Sequence, residues 1–271
     1  MPVPGEELRD ELERWARQRL TAGETVRWRT AAAAASPAAT PQPEAPPPAP
    51  ARRASGPEPA AAQLAPATAP ATAAAPAARM QPQPGDSLER IAAEIAACTR
   101  CRLHATRTRS VPGVGAADAD LVFVGEGPGA DEDLRGEPFV GRAGQLLTKI
   151  IGAIQLSREE VFITNIVKCR PPGNRDPEPD EIAACEPYLI RQLALLQPKV
   201  ICALGRHAGA QLTGTAAPMT ALRRGEHYYR GLRVFPTYHP AACLRNPQWK
   251  RPVWEDIQNV RREYDRAREN S

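Results

Sequence analysis

The sequence predicts an α/β fold in which four short strands form a parallel sheet covered on both faces by helices. Two observations predict it. From residue 87 onward, short and continuously apolar runs alternate with stretches of helical periodicity. Glycine-rich or polar segments follow directly after the apolar runs, where an open α/β sheet places its ligands, beyond the carboxyl ends of the strands.

The elements follow in order. In residues 1–30, Leu8, Leu12, Trp15 and Leu20 fall at helical spacing, with acidic residues early and arginines later, so an N-terminal amphipathic helix is expected. Residues 31–85 hold 14 prolines and 23 alanines in 55 positions and no aromatic residue. Such a stretch buries too little apolar surface to offset its chain entropy, so a disordered Pro/Ala-rich linker is expected. Residues 86–271 form the remaining, globular unit, a size that supports one core. Within it, Ser87–Ala97 reads as a helix with Leu88, Ile91 and Ile95 on one face. Leu121–Val124 reads as a strand ending at Gly125, and Gly141–Ile154 as a helix. Val161–Lys168 is a second expected strand, and Glu178–Leu196 a long helix that Pro187 breaks early or offsets. Lys199–Leu204 is a third strand, Gly205–Leu212 a helix, Arg233–Thr237 a fourth strand and Trp249–Arg268 a closing helix.

Composition excludes several classes. No run of 18 apolar residues occurs, so no membrane-spanning helix is expected, and the first residues lack a basic-then-apolar leader pattern. A cytoplasmic protein is expected, and its six cysteines then point to metal or redox chemistry rather than a disulfide framework. The globular unit carries 26 Lys/Arg against 23 Asp/Glu, a balance too even to demonstrate nucleic-acid binding by itself. Arg223, Arg224, Arg230, Arg233, Arg245, Lys250 and Arg251 fall in a short span, which reads equally as a solvated surface or a phosphate-binding one.

The post-strand segments carry the chemistry. Gly125-Glu126-Gly127-Pro128-Gly129 lets the backbone approach a ligand and present its N–H groups, but its spacing is neither a P-loop nor a dinucleotide fingerprint. Phe139, between Pro138 and Val140-Gly141, is a staple onto the following helix or a stacking platform for a flat ring. Asn165 lies in an apolar strand, so its amide needs partners: neighbouring backbone, or the donor–acceptor edge of a base. His239 follows the fourth strand and faces the same crevice, whereas His104, His207 and His227 have no such placement. Cys98 and Cys101 form a C-x2-C pair, and Cys169 and Cys185 a second pair with fifteen residues between them. Four thiolates suit tetrahedral zinc or an iron–sulfur cluster, while Cys202 reads as core and Cys243 as incidental.

Together, Gly125–Gly144, Thr164–Asn174, the four paired cysteines and the run His239–Pro247 resemble the family-four uracil-DNA glycosylases, across residues 87–268. The resemblance implies a doubly wound domain with a central four-stranded parallel sheet. It implies removal of uracil from DNA, single- or double-stranded, by base excision, with an abasic site left behind. Cys98, Cys101, Cys169 and Cys185 would ligate a structural [4Fe–4S] cluster. Phe139 would stack on the flipped uracil, Asn165 would bond its O4/N3 edge, and His239 would donate to O2. Glu126 and Gly127 would line the pocket, Glu132 would sit near C5 and exclude a methyl group, and Asn174 would position water. Leu244 would wedge into the base stack with Arg245 on phosphate. Gly127 stands where related enzymes carry a water-activating aspartate, so activation falls to Glu126, to Asn174 or to electrostatics alone. No histidine occurs in Arg170–Arg175, so turnover by hydrolysis rather than covalent trapping is expected.

Two alternatives remain at this stage: a glycosylase of altered base specificity, for example toward hypoxanthine, and a non-catalytic Fe–S protein that binds nucleic acid or senses redox state. A monomer associated with the nucleoid is expected, without membrane contact, with the N-terminal helix and linker available to a protein partner.

Overall fold

The computed structural model describes Met80–Asn270. The helix expected in residues 1–30 and nearly all of the 31–85 linker lie outside the described residues. Helix α1 (Leu88–Ala96) is capped by the Ser87 side chain, which accepts from the Arg90 amide, and it buries Ile91 and Ile95. Strand β1 (Val114–Gly115) precedes β2 (Leu121–Gly125), followed by α2 (Ala130–Arg135) and α3 (Arg142–Ala153). Strand β3 (Phe162–Asn165) leads to α4 (Pro179–Leu196), and β4 (Val200–Leu204) to α5 (Arg206–Thr213) and α6 (Met219–Leu222). A hairpin of β5 (His227–Tyr229) and β6 (Leu232–Thr237) is followed by α7 (Pro240–Arg245) and α8 (Lys250–Glu269).

The sheet has six strands in the order β1-β3-β2-β4-β6-β5, not four. Strands β3, β2, β4 and β6 are mutually parallel, and β1 and β5 add antiparallel edges. The edge strands escape a hydrophobic-pattern reading because they are two and three residues long and partly exposed. Alternation explains the continuous apolar runs. Leu121 and Phe123 point into a layer built with Leu147 and Ile151 of α3 and Ile257 and Val260 of α8. Val122 and Val124 point into the opposite layer, with Ile91 of α1, Leu189 and Leu193 of α4 and Leu212 of α5. Both faces are therefore covered.

Two further expectations need correction, and one segment gains an element. Strand β3 ends at Asn165; Ile166 and Val167 leave it, their N–H groups donating to the carbonyls of Gly125 and Glu126. Helix α4 runs unbroken through Pro187, which forfeits a single backbone donor in an 18-residue helix. The run after His239 is helical, since Pro240 fits the first turn and His239 caps it. No helix among the described residues is long and apolar enough to cross a membrane.

Candidate active site and cysteine cradle

Parallel pairing brings the carboxyl ends of β2, β3, β4 and β6 to one edge of the sheet. There Gly125 stands beside Asn165, and Leu204 beside Thr237. A cavity of about 650 Å³ opens at this edge. Glu126, Gly127, Glu132, Phe139, Asn165, Asn174, His239 and Arg245 all line it. Leu244 does not line it; its side chain is exposed beside Arg245 on α7.

Phe139 and Asn165 form the cavity's inner wall. Phe139 is buried and adopts a left-handed φ of 54°, which costs a non-glycine residue on the order of 1 kcal/mol. Its turn is seated on α3 at Gly144, where an added Cβ would lie 1.8 Å from the Phe139 carbonyl oxygen. Gly125 serves the same close packing, since a Cβ there would lie 2.3 Å from Asn165 Oδ1 and 2.6 Å from the Phe139 ring. Asn165 is buried, and its Oδ1 has no hydrogen-bond partner among the described residues. An unmatched buried acceptor is costly, and in a cavity wall it marks where a ligand donor belongs.

His239 lies against Phe139, with ring centroids 5.5 Å apart. Its Nδ1 accepts from the Ala241 amide at 3.1 Å, so the neutral ring carries its proton on Nε2. Burial pushes the imidazole down to about 4; Arg245 adds to this and Glu132 opposes it. His239 is therefore a neutral donor at physiological pH.

The carboxylates divide by what already holds them. Glu132 Oε1 accepts from the amides of Val140 and Gly141, and Oε2 from Gly129, so Glu132 braces the loops on either side of α2. Asn174 is exposed at φ 56°, and its oxygen accepts from Arg170 Nε at 2.7 Å, leaving the amide hydrogens as its functional groups. Glu126 is held through one oxygen, at 2.5 Å from His207 Nδ1. This corrects the placement of His207, which lines the cavity. The available signal was position: Gly205-Arg206-His207 follows β4 as Glu126 follows β2, and β4 neighbours β2.

On the α1/α4 face, Cys98, Cys101, Cys169 and Cys185 line one small second cavity. None of the six cysteines forms a disulfide. Arg107 Nη1 donates to Cys169 Sγ at 3.0 Å, and the Lys168 amide to Cys185 Sγ at 3.2 Å. Burial pushes the Cys185 thiol up to about 11, with Lys168 opposing, and raises Cys169, with Arg107 opposing. Thiols so placed ionise readily only against a cation, and the N–H donors are directed at sulfur, so the donor set fits a thiolate-bound metal centre. Cys202 and Cys243 are buried in the opposite layer, away from this cradle. Lys168 is fully buried; its Nζ donates to Thr164 Oγ1 at 2.6 Å and to the Asn165 carbonyl and Gln192 Oε1, each at 2.8 Å.

A three-layer α/β domain with a cavity at its strand ends that combines an aromatic wall with polar side chains, and a four-cysteine cradle beside it, defines the class expected of an enzyme that handles an extruded nucleobase. The profile of the Uracil DNA glycosylase superfamily matches residues 112–258, and the chain belongs to that superfamily. Among curated relatives, the type-4 uracil-DNA glycosylase of Sulfurisphaera tokodaii is 49% identical over 185 residues, covering 65% of this chain and 84% of the relative. That of Archaeoglobus fulgidus is 45% identical over 183 residues, covering 65% and 92%. A type-5 uracil-DNA glycosylase of Pyrobaculum aerophilum is 34% identical over 155 residues, covering 51% and 68%.

Proposed function

We propose that this chain is a DNA-repair glycosylase that hydrolyses the N-glycosidic bond of deoxyuridine, releasing uracil and leaving an abasic site, with residues 86–271 as the catalytic unit. The observation that carries the reading is the buried, unpartnered Asn165 Oδ1 in a wall shared with Phe139 and His239. Uracil presents a donor at N3 and an acceptor at O4, and one amide answers both. Cytosine presents the reverse pattern at the same positions, so an amide held with Oδ1 toward N3 rejects it.

The target bond is inaccessible within a duplex, so the nucleotide is extruded, at a cost of a few kcal/mol that is lower for a mispaired uracil. Phe139 then offers its face to the base. As the C1′–N1 bond breaks, negative charge builds on the uracil at O2. The Nδ1 contact leaves the His239 Nε2–H to donate to that oxygen, which stabilises the transition state more than the ground state. Water adds to C1′ and passes its proton to Glu126. Asn174 orients that water by donation, since its oxygen is engaged by Arg170. Glu132 shapes the wall near C5 through the loops it braces. Arg245 and Leu244 meet the flanking DNA, on phosphate and in the base stack respectively.

Cys98, Cys101, Cys169 and Cys185 are assigned to hold a [4Fe–4S] cluster. When bound it supplies a structural cross-link between the segment after α1, the segment after β3 and α4. The test is incubation of cluster-replete protein with an oligonucleotide bearing one uracil, followed by alkaline cleavage of abasic sites. Strand scission at the uracil position is the expected result, and intact oligonucleotide overturns the reading. Release of hypoxanthine but not uracil from a matched panel would instead indicate altered specificity.

A further inference from the structure

Glu126 is not left to its own rotamers. His207, second residue of α5, reaches the loop after β2 and places Nδ1 at 2.5 Å from Glu126 Oε2. A carboxylate only accepts, so Nδ1 carries the proton. The other edge of the ring is also held: Nε2 lies 2.6 Å from Arg206 Nη2, which donates to its lone pair, while Asp176 Oδ2, 3.1 Å away, stands beside the same nitrogen without a proton to accept from it. Asp176 is exposed, but its segment is anchored, because neighbouring Arg175 forks onto the fully buried Glu181 at 2.9 and 2.6 Å. Glu126, His207 and Asp176 are close enough together to suggest an ion site. The two carboxylates, however, address different nitrogens of one ring, and Nδ1 is already committed to Glu126. The arrangement is a hydrogen-bonded chain rather than a chelate.

The need for such a chain is visible next door. Glu126 and His207 also line a further cavity of about 470 Å³, together with Ile182, Gln211 and Thr215. Without a tether, the Glu126 side chain has an alternative space to turn into, away from the base cavity.

We propose that His207 is a positioning residue for the hydrolytic step: its Nδ1–H fixes Glu126 Oε2 so that Oε1 faces the attacking water, with Arg206 fixing the ring in turn by donating to Nε2. The proposal rests on the assignment of Glu126 as the proton acceptor. It is tested by kcat and KM of the holoenzyme on a single-uracil oligonucleotide, for Glu126→Gln, His207→Ala, His207→Asn and the double variant Glu126→Gln/His207→Ala. Glu126→Gln is expected to lower kcat about a hundredfold, the low end for a lost general base. His207→Ala is expected to lower kcat roughly tenfold with KM within about twofold, a fraction of that same effect. The His207→Asn amide stands near the Nδ1 position and is expected to restore most of the loss. In the double variant, loss of His207 should add nothing to Glu126→Gln.

His207→Leu replaces His207→Ala if the smaller side chain fails to fold. Wild-type kcat in His207→Ala, or the same tenfold loss on the Glu126→Gln background, overturns the proposal while leaving Glu126 in place. Wild-type kcat in Glu126→Gln overturns the Glu126 assignment and the proposal with it. A rate that depends on added zinc ion overturns the hydrogen-bonded chain in favour of an ion site.

Discussion

The base cavity and the cysteine cradle lie at opposite ends of one short stretch of chain, Asn165 to Cys169, and are built on opposite rules. In the cavity, polar groups keep an unmet capacity: the Asn165 oxygen has no partner, and the His239 Nε2–H is left over once Nδ1 is capped. In the cradle, polar groups are matched from within: Lys168 has three acceptors, and the Cys169 and Cys185 sulfurs each receive an N–H. A site that exchanges its ligand every turnover leaves bonding capacity for that ligand to fill. A site that keeps its ligand surrounds it with committed partners.

Four changes break or sharpen this contrast. The largest effect is expected from Asn165→Ala, which removes the open capacity itself. Uracil release should fall about a thousandfold, while DNA affinity, supplied mainly by phosphate contacts, changes little. Single-turnover rates and fluorescence anisotropy on the same oligonucleotide separate the two quantities. Cys169→Ala attacks the other side. It should abolish the visible absorption of thiolate-bound iron and lower the melting temperature by roughly 10 °C, as loss of a metal tie worth several kcal/mol does in a domain of this size. Absorption spectra and thermal melts check it.

Gly144→Ala probes the seat of the cavity wall, because the new methyl collides with the Phe139 carbonyl. A loss of stability of about 2 kcal/mol is expected, together with roughly tenfold slower turnover, in urea titrations and rate assays. The fourth test, the pH dependence of His239, concerns stability alone. Its folded-state value is about 4 against an ordinary 6.5, so between these values the unfolded chain binds the extra proton. This contribution is complete above pH 6.5 and is lost as pH falls toward 4. Urea titrations across that range should show the decline, and His239→Gln should flatten it.

Much of this was legible in the sequence, for physical reasons. Strands buried on both faces are continuously apolar, and such runs announced β2, β4 and the start of β3, while β6, which carries Arg233 and is only partly buried, showed the pattern less cleanly. Asn165 and His239 lie at or just after strand ends and Phe139 lies in the segment that follows β2, so order along the chain already placed all three at one crevice. The edge strands were not legible, because two or three half-exposed residues carry no pattern. The tether on Glu126 was not legible either, because it joins residues 81 apart and depends on β4 lying beside β2. Nor does a sequence show that both oxygens of Glu132 are taken by backbone amides.

The left-handed turn at Phe139, pinned by Gly144 and packed against Gly125, makes the cavity wall rigid before any base arrives. A wall that does not need the sugar or the phosphates to take its shape does not lose that shape once the glycosidic bond is cut. If Phe139 and Asn165 hold the base as proposed, the free base is expected to find the same stacking face and the same amide edge as the attached one. Under the proposed function, product dissociation is then expected to compete with capture of the next lesion, and added free uracil is expected to slow the reaction, which rate assays with uracil in the buffer check.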